Sequence, residues 1–181
     1  NVSMTEERRI EETWRQGWLA VPGGAARAES NGGANGRRVM AASVAVCEVG
    51  LRVGLTAKGG RVARGFHNQG TTGVFVAAAT AARLMRLDAR QTQHALGLAG
   101  SQAAGLMAVQ EGEMAKGFHS GRAAQSGVYA AKLAHLGYTG IPDVLEAHYG
   151  GFLSSLVGDC PFESLTADLG TRWEILKVGF K

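Results

Sequence analysis

Proline and cysteine are scarce in this 181-residue chain, at three and two residues. The two cysteines, Cys47 and Cys160, lack CxxC spacing and a neighbouring Cys/His cluster, which excludes a disulfide framework and a zinc site as the basis of the fold and predicts that no metal is bound. No apolar run approaches the ~20 residues of a spanning helix, and Glu6, Glu7, Arg8 and Arg9 stand where a secretory signal would be apolar. A cytoplasmic protein with no membrane partner is the expectation. Long basic runs are missing too: the longest are the pairs Arg8-Arg9 and Arg37-Arg38, with no aromatics between them. A net charge of +4 and a pI near 9.4 therefore suit a small anionic ligand better than a nucleic acid. With 45% hydrophobic and 19% charged residues, the chain has the composition of one globular domain rather than of a disordered tail or a rod.

What the chain has in excess is glycine, 27 residues, about twice the usual ~7% share. The glycines interrupt alanine-rich, helix-forming sequence, so the predicted fold class is mainly α, a bundle of short Gly/Ala-rich helices. Residues 5–19 place Ile10, Trp14 and Trp18 four apart, one stripe of an amphipathic helix. Residues 23–36 read as connection. An apolar helix is expected over Arg37–Val53, a loop over Lys58–Gly70, and a helix over Gly73–Leu87 with Thr71-Thr72 as its cap. Asp88 caps a further helix from Ala89 to Ala99. The next long helix covers 119–136, and Pro142-Asp143 opens a short one that Gly150-Gly151 ends. Trp173–Lys181 alternates apolar and polar residues, the pattern of a strand. A lone strand needs a neighbour, supplied by a continuation of the chain, another subunit or another domain.

Three places combine cationic side chains with glycine-rich context. His67, in Arg64-Gly65-Phe66-His67-Asn68-Gln69-Gly70, lies just ahead of a helix start, where free N–H groups and the helix dipole favour an anion. Lys116, His119 and Arg122 crowd the start of a long helix, where positive charge opposes the dipole and a bound anion accounts for it. Lys181 follows the terminal strand and on its own reads as a solvated end. His94, His135 and His148 have no partners at metal-ligand spacing. No glycine run fits a dinucleotide or phosphate loop, and Ser101 lacks the second glycine of a nucleophile elbow.

Ordered blocks of the chain resemble the MmgE/PrpD family, which includes 2-methylcitrate dehydratase, cis-aconitate decarboxylase and iminodisuccinate epimerase. They are Arg64-Gly65-Phe66-His67, Gly70-Thr71-Thr72-Gly73-Val74-Phe75, Leu96 to Met107, and Lys116 with Phe118-His119-Ser120-Gly121-Arg122-Ala123-Ala124-Gln125. Gly137-Tyr138-Thr139-Gly140 and Gly151-Phe152-Leu153 continue the match. The resemblance implies a larger homodimeric enzyme with a helical domain, a smaller α+β lid and a metal-independent, cofactor-free site between them. Residues 1–20 fall outside it, 21–171 correspond to the helical domain, and 172–181 to the first lid strand. His67 matches the family's loop histidine, Lys116 the lysine before the Phe-His-Ser-Gly segment, and Lys181 the lysine after the first lid strand.

The resemblance further implies a small polycarboxylate substrate. Fixed cations, Lys116 and Lys181, would hold its carboxylates, with Arg122, Arg64 and His119 as further binding groups. His67 would move the proton alpha to a carboxylate, and the lysines would stabilise the developing charge. The family also carries an Asp- and His-bearing motif upstream, whereas here no His precedes His67 and no Asp precedes Asp88. The chain thus corresponds to the middle of such an enzyme. Two functions follow as expectations: a dehydratase or decarboxylase, with an epimerase of the same family as a variant, or a non-catalytic dimerisation module that keeps the scaffold.

Overall fold

The computed structural model describes residues 36–57, 60–111, 114–158 and 160–177. These residues form α1 (Gly36–Thr56), the short α2 (Gly60–Ala63) and α3 (Asn68–Thr71), α4 (Gly73–Met85), α5 (Ala89–Gly100), α6 (Ala115–His135) and α7 (Phe152–Leu156). Short 3-10 turns cover Met107–Glu111, Phe162–Leu165 and Glu174–Lys177. Among the described residues no β-strand forms, and the mainly α class is confirmed. No described helix is long and apolar enough to cross a membrane.

α4 is the hub, packed against α1, α5 and α6. Its run Gly73-Val74-Phe75-Val76-Ala77-Ala78 is buried throughout, because a helix that is small and apolar on every side must be surrounded. α6 faces it with Ala123, Ser126, Gly127, Ala130, Ala131 and Ala134, a buried face at helical spacing. The backbones approach so closely that a Cβ on Gly127 would run into Ala77. Around this seam Val46, Val53, Val74 and Leu153 complete the core, and Phe75 meets Phe152 edge to face with ring centroids 4.8 Å apart.

The helix starts follow local rules only in part. Asp88 builds the expected capping box: its carboxylate accepts the Gln91 N–H, and the Gln91 side chain accepts the Asp88 N–H. The expected threonine cap on α4 is not made. Thr72 occupies the cap position without a side-chain bond, while Thr71 Oγ1 donates to the His67 carbonyl at 2.9 Å. Two further expectations are corrected. Residues 142–146 form turns rather than a helix, and Gly151 stands at the start of α7 instead of closing a helix before it. The loop expected over Lys58–Gly70 contains α2 and α3.

The segment expected as a strand begins as a 3-10 turn over Glu174–Lys177. The cause lies on α1, where Glu48, Arg52 and Thr56 form a buried polar stripe at i, i+4 and i+8. Arg52 Nε bonds Glu48 at 2.7 Å, and its guanidinium donates to the carbonyls of Leu165, Ala167 and Arg172 at 3.3, 2.7 and 2.8 Å. Glu48 accepts the Ile175 N–H at 3.1 Å, and Thr56 Oγ1 meets Ser164 Oγ at 2.7 Å. The Ile175 bond takes up a backbone group that a strand would offer to a neighbour, the Arg52 bonds anchor the approach to it, and the Lys177–Glu174 pair at i, i+3 suits helical geometry. Lys181 and the helix expected at residues 5–19 lie outside the described residues.

Candidate active site

His67 sits at the N-terminal edge of α3 in an extended conformation. The loop that carries it is braced against the 104–107 segment. Phe66 and Leu106 form an antiparallel bridge, His67 N–H donates to the Gly105 carbonyl at 3.1 Å, and Met107 N–H donates to the Gly65 carbonyl at 2.8 Å. Two glycines make the brace possible. A Cβ on Gly70 would strike the Ala104 carbonyl, and Gly105 has φ +146, a region that side-chain-bearing residues rarely adopt.

The brace delivers His67 to α6. Its Nδ1 lies 3.0 Å from the Nδ1 of His119, with the ring centroids 5.2 Å apart and the planes tilted by 45°. His67 is 0% exposed, while His119 is half-buried. A second tie runs parallel to the first, from Ser120 Oγ to Gln69 Oε1 at 3.2 Å. Behind the loop, Arg61 is buried and its Nε bonds Asn68 Oδ1 at 2.8 Å, next to His67.

α6 begins one turn earlier than the sequence pattern indicates, so Lys116, His119 and Arg122 all lie within its first turns. A spacing of three drifts by about 60° per step, which keeps the three on one side of the helix with His119 between the cations. Lys116 and Arg122 are exposed, and Arg122 bonds Gln125 at 2.9 Å. The N-cap residue Met114 makes no side-chain cap bond. Arg64 is engaged elsewhere: its guanidinium donates to the Ser155 carbonyl of α7 at 2.8 Å. Of the predicted site residues, the structure therefore brings His67 and His119 into contact, flanks His119 with Lys116 and Arg122, and directs Arg64 to α7. The His67–His119 contact and the buried Arg61 escaped the sequence reading. Arg61 carries no local signal, since it looks like any loop cation. Among the described residues no group of three His, Cys, Asp or Glu gathers as a metal site.

An all-α domain that presents a histidine pair beside a cation-bearing helix start is the class defined by fold and site. The signature of the MmgE/PrpD N-terminal domain matches residues 12–165, and the chain belongs to the MmgE/PrpD family. It is 36% identical over 154 residues to the cis-aconitate decarboxylase-like protein oryM of Aspergillus oryzae, covering 81% of this chain and 32% of that protein. It is 33% identical over 154 residues to a cis-aconitate decarboxylase of Aspergillus terreus, covering 81% of this chain and 31% of that protein. The chain thus spans about a third of the length of the curated relatives it matches.

Proposed function

We propose that this chain contributes to a lyase acting on a small polycarboxylate, by decarboxylation of a cis-aconitate-type substrate or dehydration of a 2-methylcitrate-type one, with His67 as its acid–base group. The observation that carries this reading is the His67–His119 contact at 3.0 Å beside a helix start that has no side-chain cap and bears Lys116. The positive end of the helix dipole and an ammonium favour a carboxylate at that end. The names of the relatives support decarboxylation over dehydration. Decarboxylation breaks the C–CO2 bond, leaves its electron pair on carbon and needs a proton donor there, a role that suits an imidazole near neutral pH. Lys116 and Lys181 would hold the carboxylates, and Arg122 would assist. Arg64 would join only by releasing Ser155. His67 is closed to solvent as it stands.

Proton NMR of the chain incubated with cis-aconitate, citrate, 2-methylcitrate and iminodisuccinate tests the reading, because it reports turnover and product together. Consumption of cis-aconitate with loss of carbon dioxide is expected, abolished in His67→Ala. Full activity in that variant would sink the assignment.

A second reading, a dimerisation or assembly module, is favoured by one observation. Met114, Phe118, Tyr129 and Leu136 are exposed, Met114 at 95% and Leu136 at 81%, and their spacings of 4, 11 and 7 place them on one side of α6. Such a row of exposed apolar side chains favours cover by a second copy or a partner chain. A monomer by light scattering at all concentrations would count against it.

A further inference from the structure

An acid–base group that moves one proton per turnover must exchange that proton with solvent, and a ring with 0% exposure has no direct contact with water. His119 is half-buried and touches His67 through Nδ1 at 3.0 Å. We propose that His119 is the proton relay of His67, carrying protons between the buried ring and solvent, rather than a ligand for the substrate. The inference rests on the reading of His67 as the acid–base group and deepens it.

The geometry dictates how the relay works. A nitrogen–nitrogen contact of this length needs one N–H and one lone pair, so the inner edge of the pair holds a single proton. When that proton is on His67, the His67 Nε2 carries a lone pair and is a base, and His119 is the Nε2–H tautomer. When it is on His119, His67 is the Nε2–H tautomer and an acid. For proton abstraction, the proton passes from substrate carbon to His67 Nε2 while the C–H electron pair stays on carbon. The inner proton then moves from His67 Nδ1 to His119 Nδ1, and His119 Nε2–H releases its own proton to water. For decarboxylation the direction reverses: carbon takes the proton of His67 Nε2–H, and His119 resupplies the inner proton from solvent. Each ring gains one proton and loses one, which leaves the pair in its opposite tautomer; the reverse transfer, with a proton given up or taken at His67 Nε2, restores the starting tautomer, and no oxidant or reductant enters.

The surroundings favour this traffic. Burial disfavours an imidazolium, so positive charge is better carried by the half-buried ring than by the enclosed one. Among the described residues, the charged groups on the elements packed about the pair are Arg61 on α2, Lys116 and Arg122 on α6, Arg64 held by Ser155, and the exposed Glu111 on the 3-10 turn. α3 has none. The cations outnumber the carboxylate, which opposes a second proton on the pair. Gly105 backs the relay ring, since a Cβ there would lie 3.1 Å from His119 Nδ1, and the loop thereby fixes the ring in register.

Long-range proton–nitrogen NMR of the chain labelled at histidine tests the relay without needing turnover. Complementary tautomers on His67 and His119 are expected, with no more than one proton taken up by the pair between pH 8 and 5. Independent conversion of both rings to imidazolium over that range would overturn the proposal. In His119→Phe, exchange of the His67 ring proton with solvent slows at least tenfold; unchanged exchange would also overturn it. Should that variant fail to fold, the titration of the unaltered chain still decides. If the chain turns over a polycarboxylate, His119→Phe lowers kcat with KM nearly constant and added imidazole restores part of the rate. A substrate ligand would instead raise KM and gain nothing from imidazole. Absence of turnover would count against the lyase reading and leave the NMR outcome standing.

Discussion

The Glu48–Arg52 pair on α1 offers a perturbation whose size follows from the structure. Both residues are 4% exposed, and Arg52 meets the carboxylate at 2.7 Å while binding three carbonyls of the 165–172 segment. Arg52→Met would keep the volume and remove the charge, leaving the Glu48 carboxylate buried without its cation. Breaking a buried pair from one side costs about 3–5 kcal/mol, against a total stability of about 5–15 kcal/mol for an ordinary domain. The three carbonyls lose a donor as well, but they are only part-buried and water replaces it, so little is added. Glu48→Met combined with Arg52→Met should cost far less than Arg52→Met alone, because no buried charge is left over. Urea unfolding followed by circular dichroism measures both variants, and amide exchange over 165–177 reports whether the segment has come away from α1. A loss under about 1 kcal/mol for the single variant, or a double variant as costly as the two singles added, would refute the reasoning.

Three further perturbations probe the site and the core. Lys116 is exposed, so Lys116→Ala should shift stability by no more than about 0.5 kcal/mol while raising KM for a polycarboxylate roughly tenfold or more, the loss of one charge-assisted bond; unchanged steady-state kinetics would remove Lys116 from the site. Gly105→Ala forces a side chain onto φ +146 and against the His119 ring, which should cost about 1–3 kcal/mol in thermal melts and part the two histidines in the NMR titration; an unaltered melt would show that the loop adapts. Burial pushes the Cys47 thiol up from its ordinary range, so the unfolded chain releases this proton first and native stability falls as pH rises through that range. Labelling of Cys47 by a thiol reagent should then proceed only as fast as unfolding, and rapid labelling of the native chain would contradict its burial.

The sequence alone determined the helical class, the places of α1, α4, α5 and α6 to within a turn, the Asp88 cap and the motifs that mark His67 and Lys116. Each depends on residues within one or two turns of each other, where periodicity and short-range hydrogen bonding act. Glu48 and Arg52 are not singled out in the stretch read as an apolar helix, because a solvated i, i+4 pair and a buried one look alike in a sequence. Tertiary structure alone decided the rest. It brought together His67 and His119, 52 positions apart, because the glycine and alanine faces of α4 and α6 allow close approach and the Gly70–Gly105 brace fixes the loop. It turned residues 174–177 of the alternating pattern into a 3-10 turn, with Glu48 of α1 taking the Ile175 N–H from more than a hundred residues away. It drew Arg64 to Ser155 and buried Arg61 against Asn68. Charge and spacing name the cations of this chain, but which of them face one another depends on packing between elements that are distant in sequence.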